Sequence, residues 1–491
     1  MRRLTSGNAM HSYKTTVNPL DRVLPPIQAL NMTKPEAQAE YHEHVQKVEQ
    51  SEQDVIYQTY ASQSPEWHRK MTKQLLRKVD FHLLPCLIVM YLLNFLDRNS
   101  NLSQARLGTL EKDLKMKGTD YNLATSILFV GYLLMQLPSN LLLTRVRPSL
   151  FLGITMAIWG VISACQAATQ SFTGLVLSRF FLGFVEAPFF PGAIIGMLQC
   201  SSAPDLARML THGAHGISGW RWLFIIEGCI TVGISLMSIL LLPNYPATTS
   251  WLDETEKLYA QWRLIQDAGE ADEARSNSLR EALWLVFSDK RIYLFILLQH
   301  SSLLSQNFQY FFPTIVQTLG YGNIETLLIT APVWIATFMV SLLVTWSSGR
   351  TNDRSLHIIS LMLVSVVGCV ICTATTNIGA RFFGMFLMPM GAVSAYQIII
   401  AWVANSFPRP LVKRSAAIAT ANMIGNTASI YGSYMWPSSS GPRYIAGGGA
   451  TAAIAFLVAI LALVIRMVHS QMNKRLDLAQ ESSQSGIRYI L

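Results

Sequence analysis

Charged side chains are scarce in this sequence. Asp, Glu, Lys and Arg make up 14% of its 491 residues, where soluble domains carry about 25%. That shortage, with 51% hydrophobic residues gathered in long blocks, excludes an ordinary soluble domain and predicts a chain that crosses the bilayer many times. The pattern G-x-x-x-x-G-K-[ST] is missing, which excludes an ATP-driven pump built on that loop. No metal-ligand cluster or nucleophile–base constellation occurs, so no enzymatic activity, metal or cofactor is expected. Cysteine is sparse as well. Of six, Cys86, Cys165, Cys229, Cys369 and Cys372 fall in apolar blocks and Cys200 at the edge of one. Cys369 and Cys372 form a C-x-x-C, but within an apolar block two small packing residues on one helix are the better account. His212 and His215 lack further ligands and read as a loop pair. The opening MRRLTSGN has no apolar core behind its arginines. No cleaved signal peptide is expected, and the first span is expected to serve as the insertion signal.

The net charge is +9. Its basic residues cluster between the apolar blocks, the pattern of cytosolic loops and no sign of nucleic-acid binding. Residues 1–78 form a polar tail, expected to be largely disordered with a helical piece and cytosolic. It closes on the basic collar Arg69, Lys70, Lys73, Arg77 and Lys78. Residues 79–243 hold the first group of apolar blocks, with spans expected at about 81–96, 121–143, 149–169, 172–198 and 220–242. Residues 244–291 are a cytosolic linker of both charge signs with helical stretches. Residues 292–469 hold the second group, with spans at about 292–312, 327–346, 357–376, 382–403, 416–435 and 443–469. Residues 470–491 form a second cytosolic tail. Arg145/Arg147, Arg350/Arg354, Arg409/Lys413/Arg414 and Lys474/Arg475 mark the cytosolic ends. The far loop, 100–120, carries the glycosylation sequon Asn101-Leu-Ser103, and Trp220 with Trp222 reads as an interface anchor. Two groups of spans about a linker are the mark of repeat-built transporters, whose site lies at the midplane between the halves.

A few polar side chains interrupt the blocks. Arg179 and Glu186 are seven positions apart, roughly two helical turns, and so lie on one face. A mid-membrane charge costs at least about 2.5–3.5 kcal/mol, so two on one face point to a shared polar interior. The pair serves either a substrate or proton pathway or a structural pin between helices. Asp97 and Arg98 end the first block, as part of that interior or as an interfacial pair that stops the helix. Tyr132 and Gln136 are one turn apart on the second span, placed for substrate or for joining helices.

The segments YLLNFLDRNSNLSQAR, GYLLMQLPSN, SRFFLGFVEAPFFPGA, GWRWLFIIEG, LLITAPVW, ISLMLVSVVG, RFFGMFLMPMG, AWVANSFPRPLVKRSAAIATANMIGN and IYGSYMWPSSSGPRYI run in order over about residues 75–475. Through them the chain resembles the major facilitator superfamily, and within it the fungal allantoate/nicotinate permease group of the anion:cation symporters. The resemblance implies an all-α membrane protein of two helical bundles. It implies a monomeric secondary carrier of a small organic anion, a carboxylate or vitamin-like compound, with the proton as coupling ion and the plasma membrane as its site. Carried over residue by residue, Asp97 and Glu186 become the proton-coupling carboxylates. Arg98 and Arg179 become groups for electrostatic coupling or anion contact, Tyr132 a substrate-facing tyrosine of the second helix, with Gln136 one turn on counted beside it by spacing, and Asn307, Tyr310, Asn422 and Asn426 polar cavity positions of the second half. Two departures stand out. Gly349 occupies a loop position where relatives usually carry aspartate, which implies a weaker latch. About eleven spans are counted where the family has twelve, because the interval Cys200–Gly219, where helix five belongs, is polar. A transport-dead paralogue, a sensor or a variant lacking helix five is the alternative this opens. An arriving anion that competes for an arginine would free a neighbouring carboxylate to take a proton, which couples the two bindings.

Overall fold

The computed structural model describes residues 59–143, 146–187, 217–269, 279–407, 411–480 and 489–490. The rest of the expected tails, Arg145, Cys200, His212, His215, Arg409 and most of the interval where helix five belongs lie outside the described residues. What is described is helical. Seven of its helices are long and apolar enough to cross a membrane.

In the first half, α1 begins at Pro65 and runs to Phe95. Ser64 caps it by accepting the Trp67 N–H, and proline fits the first turn because its missing donor is not needed there. The helix does not stop at Asp97 as expected. One π-helical turn, Leu96–Ser100, carries it into a further α-helical stretch, Asn101–Leu107. The expected far loop is therefore partly the continuation of α1. Asn101 is buried and donates to Asp97, which leaves the sequon no room for a glycan. Helices α2 (Asp120–Leu143), α3 (Pro148–Gln166), α4 (Phe172–Glu186) and α5 (Gly219–Leu241) follow. Trp220 is not an interface anchor: it is buried and its indole N–H donates to Asp113 at 2.7 Å.

Glycines at the crossings set the spacing in this half, Gly183 and Gly228 among them. A Cβ on Gly183 of α4 would lie 1.9 Å from the Leu128 carbonyl oxygen of α2. One on Gly228 of α5 would lie 2.6 Å from the Ala164 nitrogen and the Gly160 oxygen of α3. Helix pairs in a membrane gain mainly from packing, so small residues at the crossing bring backbones together.

The linker holds α6 (Glu254–Gly269) and α7 (Leu279–Phe287). Helix α6 seats Tyr259 and Trp262 against Tyr60, Trp67 and Leu75 at the start of α1, and Lys78 reaches Glu256 at 2.7 Å. Helix α7 packs instead on the second half, with Val286 in the core that holds Ile292 and Phe295.

The second half comprises α8 (Arg291–Ser305), α9 (Asn323–Thr351), α10 (Ser355–Ala374), α11 (Ile378–Ser406), α12 (Leu411–Asn426) and α13 (Ile445–Gln480). The span expected at about 292–312 is broken: α8 gives way to a 3-10 stretch, Asn307–Phe311, and a short helix, Phe312–Gln317. Cys369 and Cys372 are buried free thiols, as packing residues should be. Beside Gly349, Asp353 caps α10 through the Leu356 N–H and binds Arg466 of α13 at 2.6 Å.

At the linker end, Asp289 meets Arg291 at 2.7 Å and Lys413 at 2.8 Å. Burial pushes the Asp289 carboxyl up, but hydrogen bonds from Arg291 and Lys413 outweigh it and hold the carboxyl well below the usual carboxylate range. A lowered folded value means that the contribution is complete above about pH 4 and fades only as the pH falls through that lowered value. Asp289→Asn should therefore lower the thermal midpoint of the detergent-solubilised protein equally at pH 5 and pH 8, for a loss of about 1–3 kcal/mol. Gly183→Ala should force α2 and α4 apart and cost about 1–3 kcal/mol through overpacking, read as a lower midpoint and a lower yield of folded protein.

Candidate functional site

The π-turn in α1 inserts an extra residue and leaves backbone carbonyls without their usual helical donors. Arg179 of α4, 1% exposed, takes them up. Its Nη1 donates to the Asp97 carbonyl at 3.3 Å and its Nη2 to the Arg98 carbonyl at 2.9 Å. Its Nε reaches the Ala124 carbonyl of α2 at 3.5 Å. Arg179 and Glu186 share a face of α4, as their spacing predicts, but they do not pair with each other.

Asp97, 2% exposed, is enclosed by neutral donors from three helices. Ser163 of α3 donates to its Oδ1 at 2.6 Å, with Asn101 of α1 at 3.3 Å. Its Oδ2 accepts from the Trp159 indole of α3 and from Thr231 of α5, each at 3.1 Å. The reading of Asp97 and Arg98 as an interfacial pair that ends the helix therefore fails: the acid is sealed inside the bundle.

Arg98 turns the other way. Its guanidinium lies over Tyr132 (4.4 Å) and Phe129 (4.9 Å) of α2, and its Nε stands 3.9 Å from Glu186 Oε1. Neither Nε nor Nη2 makes a hydrogen bond, and the side chain keeps 18% of its surface accessible. Glu186 takes one hydrogen bond, from Asn94 of α1 at 2.7 Å, and its Oε2 takes none. A cation with spare donors thus stands beside a carboxylate with a spare acceptor.

The second half faces this pair with phenols and amides. Tyr310 is an electrostatic neighbour of both Arg98 and Glu186, and its ring packs on Phe129. Tyr132 reaches Asn422 of α12, which accepts from Asn426 at 3.1 Å and Gln299 at 3.5 Å while its own Nδ2 stays unpartnered. Two further sequence-predicted residues are buried. Asn307 donates to the Leu303 and Leu304 carbonyls and packs against Gly432. Gln136 is buried with its Oε1 unpartnered. Sequence reasoning missed Asn94, Trp159, Ser163, Thr231, Phe129 and Gln299. Trp159 and Ser163, four apart on one face of an apolar helix, were the available signal.

The halves meet at the end away from the linker. Tyr121 donates to the Tyr310 carbonyl at 3.0 Å and Asn122 to the Ser433 carbonyl at 2.5 Å. Arg106 lies 4.1 Å over Tyr121, whose ring meets Phe311 edge-on.

Two helical groups joined at one end, with ionisable side chains held near the seam, mark a membrane transporter of the two-bundle kind. The chain belongs to the Major Facilitator Superfamily, whose sequence profile matches residues 87–212 and 206–433. Among its relatives, the "MFS-type transporter cnsO" of Penicillium expansum is 30% identical over 448 residues, 83% of this chain and 86% of that protein. The "Major facilitator-type transporter hxnP" of Emericella nidulans is 30% identical over 405 residues, 76% of this chain and 81% of that protein. The "Putative tartrate transporter" of Agrobacterium vitis is 27% identical over 420 residues, 80% of this chain and 91% of that protein. The fold is shared with a D-xylose-proton symporter at TM-score 0.60 and 14% identity, covering 78% of this chain and 97% of that one. It is shared with an inward-facing bacterial homologue of the lysosomal transporter Spinster at 0.54 and 13%, covering 82% and 96%.

Each neutral hydrogen bond across the seam contributes about 1 kcal/mol. Tyr121→Phe should therefore shift the equilibrium about fivefold toward opening at that end, measured as a longer spin-label distance between Thr119 and Ser439, which line one pocket there with Tyr121.

Proposed function

We propose that this chain is a proton-coupled secondary carrier of a small organic anion, of the allantoate/nicotinate type within the anion:cation symporters. The observation that carries the reading is Arg98. It is held at the seam over Tyr132 and Phe129, ion-paired with Glu186, with two guanidinium nitrogens that make no hydrogen bond. A planar guanidinium fork suits a carboxylate. An anion that engages Arg98 draws it from Glu186, and Glu186 is then free to take a proton. Anion and proton each strengthen the other's binding, as linkage requires. The name of the A. vitis relative, with its tartrate, fits an anionic cargo.

In this reading residues 79–243 and 292–469 are the two rocking units and the membrane is the plasma membrane. Both tails and the linker are cytosolic, so the joined seam is the closed outer gate and the chain faces inward. The polar interval Cys200–Gly219 favours a second reading, a transport-dead paralogue or sensor that binds the anion without moving it.

The test is uptake of a panel of labelled carboxylates into expressing cells at pH 5 and pH 7.5. Uptake should rise at the lower pH. Glu186→Gln should abolish that rise, and Arg98→Lys should weaken apparent affinity at least about tenfold. No pH dependence for any anion removes proton coupling. Binding without flux selects the second reading.

A further inference from the structure

Asp97 and Glu186 sit on neighbouring elements, yet their surroundings differ in kind. Asp97 receives hydrogen bonds on both oxygens, from Ser163, Asn101, Trp159 and Thr231. The indole on Oδ2 can only donate, and the four hydrogen bonds, two to each oxygen, all favour the charged form. A proton on Asp97 would have to reverse or displace one of these four hydrogen bonds. Glu186 has one donor, Asn94, and a bare Oε2, so a proton there displaces nothing. The charged and titratable groups around them are these. On α4, Arg179 faces both carboxylates. Arg98 on α1 faces Glu186, as do Tyr91, Tyr132 and Tyr310. On α5, Glu227 is buried one turn before Thr231, while α3 presents to Asp97 only the neutral Trp159 and Ser163.

Arg179 is likewise spent on structure, since it donates to three backbone carbonyls at and beside the π-turn. Together the two residues fix the turn from which Arg98 projects. The geometry assigns the coupling proton to Glu186 alone and makes Asp97, which stays ionised, and Arg179 positioning residues that aim Arg98 at the anion. This rests on the carrier reading above, and it divides roles that the resemblance gives to both carboxylates and both arginines.

The purified full-length protein can be titrated from about pH 8 to about pH 5 while the infrared stretch of protonated carboxyl groups is followed, a readout independent of flux. Glu186→Gln should remove the titrating band. Asp97→Asn should keep it, with Glu227→Gln as a further control that keeps it. Should Asp97→Asn fold poorly, Ser163→Ala and Thr231→Val take its place. Each should weaken the apparent affinity for the transported carboxylate about three- to tenfold by loosening Arg98, with the midpoint of the pH profile unmoved. A band lost in Asp97→Asn, a band retained in Glu186→Gln, or a pH midpoint moved by Ser163→Ala or Thr231→Val overturns the assignment. A band carried by Glu186 alone together with uptake that ignores pH leaves the assignment standing and removes the symport reading instead.

Discussion

Every freed backbone carbonyl and every ionised side chain within a bilayer must be satisfied by the protein itself, because no water is there to do it. In this chain that constraint converges on Arg179. One guanidinium answers carbonyls on two helices, α1 and α2, and in doing so helps α1 to carry the extra residue of the π-turn. The π-turn then rotates Asp97 toward α3 and α5 and Arg98 toward α2 and the second half. Two adjacent residues end in opposite environments. The close approach of α4 to α2 at Gly183 is what brings Arg179 within reach.

The two halves contribute unequally to the seam. The first supplies the charges, Arg98 and Glu186, backed by Arg179 and Asp97. The second supplies phenols and amides, Tyr310, Asn422 and Gln299, which hydrogen-bond without holding charge. Such a surface can slide against a polar cargo or against the first half with little desolvation cost, because a neutral amide sheds water far more easily than an ion does. The break in the helix that follows α8, at Asn307–Phe311, places Tyr310 opposite Phe129 at that seam.

Much of this was legible in the sequence, and the reasons for the rest are specific. The apolar blocks and the interrupting charges are composition and spacing, so the helices and the shared face of Arg179 and Glu186 could be read directly. The π-turn could not, because helical periodicity assumes a constant 3.6 residues per turn and one added residue breaks the count. For that reason the pattern ends α1 at Asp97 and puts Asn101 in a loop open to a glycan. Trp159, Ser163 and Thr231 resemble ordinary packing residues of a membrane helix, and only their convergence on one carboxylate distinguishes them. Trp220 has the composition of a headgroup-level residue and is instead drawn inward by Asp113. Asn307 is a polar residue in the expected place whose hydrogen bonds go to its own helix.

The linker helices have a consequence for how motion could be watched. Helix α6 is fastened to the start of α1 through Tyr259 and Trp262, and α7 to the second half through Val286. The two are consecutive in the chain but are carried by different bundles. Probes on them would move apart or together as the bundles tilt, giving a reporter of that motion placed outside the membrane-crossing helices.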